Sequence, residues 1–178
     1  MKIAMLLLLV PLSCWADITR GVSEVGVSKM MEMLRHNPAQ WNRVTEGIAH
    51  GEARWLNVVP LIGASGNEKE TGELMNALSF ALIADPASAL KGLKAIDGRI
   101  AQGVRELAPY GSDAACALPM TLDYTRQATV AYYHQATRSL AQAGAAGAEC
   151  LALMNAAMAE INDEEKRGIM HWGHKTWP

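Results

Sequence analysis

Apolar residues recur along this chain at intervals of three and four, the spacing that lines one face of an α-helix, and no segment alternates apolar with polar residues as a half-buried strand does. Val27, Met30, Met31 and Leu34 share a face of a first helix. Asn37 caps the next, with Pro38 at its first position and Gln40 three residues after the cap. Its stripe is Trp41, Val44 and Ile48, and Gly51 ends it. A shorter helix carries Trp55, Val58, Val59 and Ile62, bent at Pro60. After the break at 63–66, Asn67 with Glu70 forms a capping pair, and Glu68, Glu70 and Glu73 suit the positive end of the helix dipole. Leu74, Leu78, Ala81 and Leu82 then point inward. Asp85-Pro86 stops this helix and opens another, with Leu90, Leu93 and Ile96 as its stripe. Ile100, Val104 and Leu107 continue the spacing beyond Gly98, which either separates two helices or kinks one.

Pro109 and Gly111 mark a turn at 108–112, and the pattern predicts a helix over 121–143 with Val130, Tyr133, Thr137 and Leu140 along one side. A glycine-flanked turn at 144–147 leads to the last long helix, which buries Cys150 or Leu151, Met154, Met158 and Ile161 before a charged exit at 163–167. Residues 168–178 lack periodicity and read as a mobile tail. Asn37-Pro38-Ala39 and Asp85-Pro86-Ala87 open comparable helices, yet the apolar positions fall out of register after that shared start. The expected architecture is therefore all-α: one domain over 17–167, built as an irregular multi-helix bundle or a short helical-repeat array.

The N-terminus changes the picture. Lys2, the apolar run from Ile3 to Leu12 and the small residues Cys14 and Ala16 follow the order of a signal peptide, so residues 1–16 are expected to be removed before Asp17 and the protein to work in the periplasm. The run is well short of the ~20 residues that span a bilayer. Lipidation at Cys14 is the alternative, though Pro11 stands where a lipobox carries leucine. Cleavage takes away Lys2 and no acid, moving the net charge from −2 to −3. A mildly acidic domain offers no basic face for nucleic acid. With 50% hydrophobic and 19% charged residues the chain has enough apolar surface to fold rather than stay disordered.

Two cysteines survive cleavage, Cys116 and Cys150, and an oxidising compartment favours joining them, with two buried thiols as the alternative. The bond conflicts with a simple hairpin of the last two helices. A helix over 121–143 is about 33 Å long, which would leave Cys116 far from Cys150, whereas bridged Cα atoms lie about 4.4–6.8 Å apart. Three ways out remain: the first helix is broken or starts late, residues 117–122 fold back beside the turn, or the cysteines are unpaired. The uninterrupted hairpin is the first to give up.

Candidate chemistry is sparse. His171-Trp172-Gly173-His174 offers two imidazoles that a metal could use, with Glu164, Glu165 or His134 completing the set, but the spacing matches no closed four-ligand motif. Met30, Met31 and Met33 are soft-metal ligands in principle and core packing in the helical stripe. Asp123 with Glu149 or Glu160 would make a carboxylate pair of unknown separation. No Gly-x-Ser-x-Gly elbow or phosphate-binding glycine loop is present, since Gly63-Ala64-Ser65-Gly66 lacks a following Lys-Ser or Lys-Thr. Neither a cofactor nor an enzymatic activity is expected. Surface remains: the polar loop 63–72, with Asn67, Glu68, Lys69 and Glu70, reads as a partner-binding protrusion. Trp41 and Trp55 read as core, and Trp172 and Trp177 as interface anchors.

The exported N-terminus, Gly51-Glu52-Ala53-Arg54-Trp55-Leu56, Asp85-Pro86-Ala87 with Leu90, Cys116-Ala117-Leu118-Pro119 and Cys150-Leu151 together resemble a group of small proteobacterial periplasmic helical proteins. These are similar to the Tai-type immunity proteins that protect bacteria from type VI secretion amidase effectors. The resemblance implies a non-enzymatic binding protein that blocks the cysteine–histidine site of a secreted cell-wall amidase or engages another periplasmic protein. It transfers no inhibitory residue to this chain. The alternative is a metal-handling or structural periplasmic protein using His171 and His174.

Overall fold

Every regular element is a helix, apart from one isolated bridge between Tyr124 and Lys175, in the computed structural model, which describes residues 26–176. The proposed leader 1–16 with Cys14, and Trp177, lie outside the described residues. Helix α1 (Val27–Arg35) buries Met31 and Leu34, and α2 (Pro38–Ala49) buries Trp41, Val44 and Ile48. The Asn37 side chain accepts from the Gln40 N–H at 3.2 Å, and Pro38 takes the first-turn position where a missing N–H costs nothing. Gly51 ends α2 with φ +74°, while the Gly51 and Glu52 N–H groups return to the carbonyls of Ile48 and Gly47. A Cβ there would also stand 2.6 Å from the Asp85 Cβ, so glycine serves both conformation and packing.

The single bent helix expected around Pro60 is two short ones, α3 (Ala53–Leu56) and α4 (Val59–Ile62), which push Leu56, Val58, Val59 and Ile62 into the core. Proline cannot supply the N–H that would join them. Helix α5 (Glu68–Ala84) lies at the centre, touching α2, the next long helix α6 (Pro86–Ala101), the short α7 (Ser112–Ala115) and α8 (Arg126–Gln142). Leu74, Leu78, Ala81 and Leu82 are fully buried on it, each leucine contributing about 1.5–3 kcal/mol. Its buried polar groups are tied as well. Ser79 Oγ donates to the Ala115 carbonyl at 3.0 Å, and Tyr132 Oη donates to the Ser79 carbonyl at 2.8 Å. Asp85 ends α5 and caps α6 through the Ser88 N–H at 3.0 Å. Helix α6 runs through Gly98 to Ala101, so that glycine separates nothing.

Cys116, at the end of α7, is bonded to Cys150 in the first turn of α9 (Ala148–Lys166), with Cα atoms 5.3 Å apart. The helix expected over 121–143 starts instead at Arg126, after the Thr125 cap. That late start reconciles the crosslink with the hairpin, which survives. Arg126 pairs with Glu165 at one end, Tyr133 Oη donates to Asn155 midway, and Gly144–Ala146 makes the turn at the other. Helix α8 is about 25 Å long at 1.5 Å per residue, and residues 117–125, which include the short 3-10 helix Pro119–Leu122, lead from Cys116 to its start. Leu118 makes the bend between α7 and Pro119–Leu122 with φ 57°, a left-handed conformation held by a side chain only 1% exposed. The α8 stripe is also rotated from the expected one. Ala128, Thr129, Tyr132, Ala136 and Leu140 are buried, whereas Val130, Tyr133 and Thr137 are half-buried. Small alanines let α8 come close to α5, a gain that a search for large apolar residues overlooks.

Candidate functional site

In the loop 63–72, Asn67, Glu68 and Lys69 are exposed, while Gly63 and Thr71 are tied to Tyr110. Tyr110 Oη donates to the Gly63 carbonyl at 2.9 Å and shares a 3.0 Å hydrogen bond with Thr71 Oγ1; a Cβ on Gly63 would meet the Tyr110 ring at 2.7 Å. Asn67 and Glu70 form the capping box read from sequence. Glu70 is buried and holds Arg35 with both oxygens at 2.8 and 3.0 Å, binding α1 to α5. Burial pushes the Glu70 carboxyl up, but the Arg35 guanidinium and the Asn67 N–H outweigh it and hold the group below the usual carboxylate range. Lys69 lies 3.8 Å from Glu73, which also accepts from Trp41 Nε1, and Glu68 is exposed. Two of the four loop residues are thus engaged in building the helix start.

Within the tail, residues 173–175 are hydrogen-bonded to the backbone of residues 121–125. Gly173 N–H donates to the Thr121 carbonyl at 3.1 Å, Lys175 N–H to Asp123 at 2.9 Å, and Thr125 N–H to Lys175 at 2.9 Å. At Gly173, which the sequence placed in a frayed end, the two backbones pass so close that a Cβ would sit 2.1 Å from the Asp123 carbonyl carbon. Asp123 accepts from Lys175 Nζ at 3.0 Å and from Asn76 Nδ2 at 2.8 Å, so it is joined to a cation and an amide rather than to Glu149 or Glu160. Lys175 also lies over the Tyr124 ring, 5.7 Å from its centroid. Burial raises the Tyr124 phenol above its ordinary value.

Residues 169–176 thus form a strap beside residues 121–125, and three grooves border it. One, of about 240 Å³, lies between α2 and α5 and is closed by Tyr124 and Lys175. A second, of about 210 Å³, runs from Thr125 along α8 to Thr176. The third, of about 420 Å³, lies between α9 and the strap and is lined by Ala117, Leu122, Ala157, Ile161, Ile169 and Met170, with Thr121, Glu160, Glu164 and His171 around them. Leu122 is 79% exposed and Ile169 51%, two of the three large apolar side chains left in water among the described residues. The other is Met33, which leaves the stripe shared by Met30 and Met31. Trp172 is half-buried against the core. His171 and Glu164 share the third groove, but Glu165 is taken by Arg126. No group of three or more His, Cys, Asp or Glu placed to hold a metal occurs among the described residues.

No family model, curated protein or solved structure matches this chain. Helical architecture, the Cys116–Cys150 bond and the surface around the strap are therefore what the protein itself offers for a functional reading. Among the described residues no helix is long and apolar enough to cross a membrane. Sequence reasoning missed Leu122 and Ile169 as a pair, because their proximity depends on the strap. The only local signal was Gly173, a residue without a side chain where two backbones must touch.

Proposed function

We propose that this chain is a non-enzymatic binding protein of the periplasm, acting as an immunity protein that inhibits a secreted peptidoglycan amidase. The observation that supports protein binding is the convergence of Leu122 and Ile169, both well exposed, in one groove on a framework fixed by the disulfide and the strap. Leaving such residues in water costs hydration free energy that a partner's surface recovers. A rigid framework lowers the ordering cost of association. Export rests on the residue order within 1–16, and the amidase as target on the resemblance noted above.

Co-expression with a toxic periplasmic peptidoglycan amidase, taken from the neighbouring gene where that gene encodes one, tests the reading. Growth should be rescued only when residues 1–16 are intact, and the purified proteins should form a complex that suppresses hydrolysis of peptidoglycan. Absence of both rescue and complex rejects the proposal.

A further inference from the structure

We infer that the groove between α9 and the strap receives a segment of a partner protein in which an apolar side chain is flanked by lysine or arginine. This deepens the binding reading above and rests on it. Leu122 and Ile169 form an apolar lip, and Ala157, Ile161 and Met170 continue it inward. The rim is acidic. Glu160 and Glu164 are one helical turn apart on α9, and neither pairs with a cation among the described residues. The neighbouring acids are compensated differently: Asp163 pairs with Arg167 at 2.9 Å and Glu165 with Arg126 at 2.6 Å. Like charges four residues apart on a helix destabilise it slightly. A cation brought by a partner converts that repulsion into attraction, around an apolar contact that excludes water.

The same rim argues against the other occupants. A second copy docking through this groove would bring another Glu160 and Glu164 to the interface and, from the groove lining, no lysine or arginine to offset them. An anionic lipid surface would be repelled by them as well. A basic, apolar-centred segment is the chemistry that satisfies both the lip and the rim.

Fluorescence anisotropy on the full chain tests this with short labelled synthetic peptides. One carries Leu-Trp-Leu between lysines, a second has the lysines replaced by glutamates, and a third has the apolar centre replaced by serines. Only the first should bind, and its affinity should fall as salt screens the rim. Leu122→Ser should weaken it about tenfold or more, the equivalent of losing one buried leucine contact. Glu160→Gln with Glu164→Gln should weaken it several-fold and flatten the salt dependence. Both changes are at the surface, so circular dichroism should be unaltered. Equal binding of the acidic peptide, no binding of the basic one, or indifference to both variants overturns the inference. A dimer that Leu122→Ser dissolves would overturn it in favour of a second copy. An amidase complex formed equally well by both variants would sink this inference while leaving the binding function standing; peptide binding without any amidase complex would remove the amidase as target while leaving the groove's role standing.

Discussion

Replacing Gly173 by alanine isolates the contribution of the strap. The new Cβ would lie 2.1 Å from the Asp123 carbonyl carbon, 2.2 Å from its oxygen and 2.5 Å from the Leu122 oxygen. All three are backbone atoms, so no rotamer change can relieve the clash and the two segments must separate by more than an ångström. That opening breaks or lengthens the three backbone hydrogen bonds involving Gly173, Lys175 and Thr125. At about 0.5–1.5 kcal/mol net for each bond, the strap loses about 1.5–4.5 kcal/mol. The half-exposed Lys175–Asp123 pair adds less than about 1 kcal/mol. Amide hydrogen exchange measured by NMR is the appropriate assay, because a tail can open without unfolding the core. Protection at Lys175 and Thr125 should drop at least about tenfold, a factor that corresponds to 1.4 kcal/mol, while Leu78 and Tyr132 keep theirs. Unchanged protection at Lys175 and Thr125 would show that the close approach does not hold the strap. Equal loss at Leu78 would show that the strap is not a separable unit.

Reduction of the Cys116–Cys150 bond, or Cys116→Ser with Cys150→Ser, should lower stability by roughly 3–4 kcal/mol on the chain-entropy account of its loop, visible in denaturant melts with and without reductant. Two thiols that alkylate without reductant in the oxidised, purified protein would contradict the crosslink. Glu70→Ala removes half of the capping box and the partner of Arg35, and should cost about 1–2 kcal/mol in the same melts at neutral pH. Because the folded Glu70 carboxyl is held below its ordinary value of 4.5, its contribution is complete above that pH and is lost as pH falls through the folded value. The difference between wild type and Glu70→Ala should therefore shrink in acid, and a difference that grew would refute the assignment. Gly147→Ala places a Cβ 2.3 Å from the Leu140 carbonyl oxygen and should destabilise the α8–α9 turn by at least about 1 kcal/mol, read as a lower melting temperature.

Local chemistry determined a large part of this protein. The caps at Asn37, Asn67 and Asp85, the stripes of α1, α2, α5 and α9, the turn at 144–147 and the pairing of the two cysteines were all legible, because each depends on residues within one or two helical turns or on a simple count. The rest depended on distance in space. Where α8 begins is decided by the path that 117–125 must follow once Cys116 is fixed beside Cys150, not by the helix-forming pattern at 121–125. Which face of α8 is buried follows from the close approach of α5, where Ala128 and Ala136 matter more than Val130. The capping role of Glu70 was legible, but its ion pair was not, because its cation, Arg35, lies 35 residues earlier. Leu122 and Ile169 became one surface only when Gly173 let the tail lie against the 121–125 backbone. Periodicity reports which way a side chain points from its own helix; what stands opposite it is set by the packing of the whole chain.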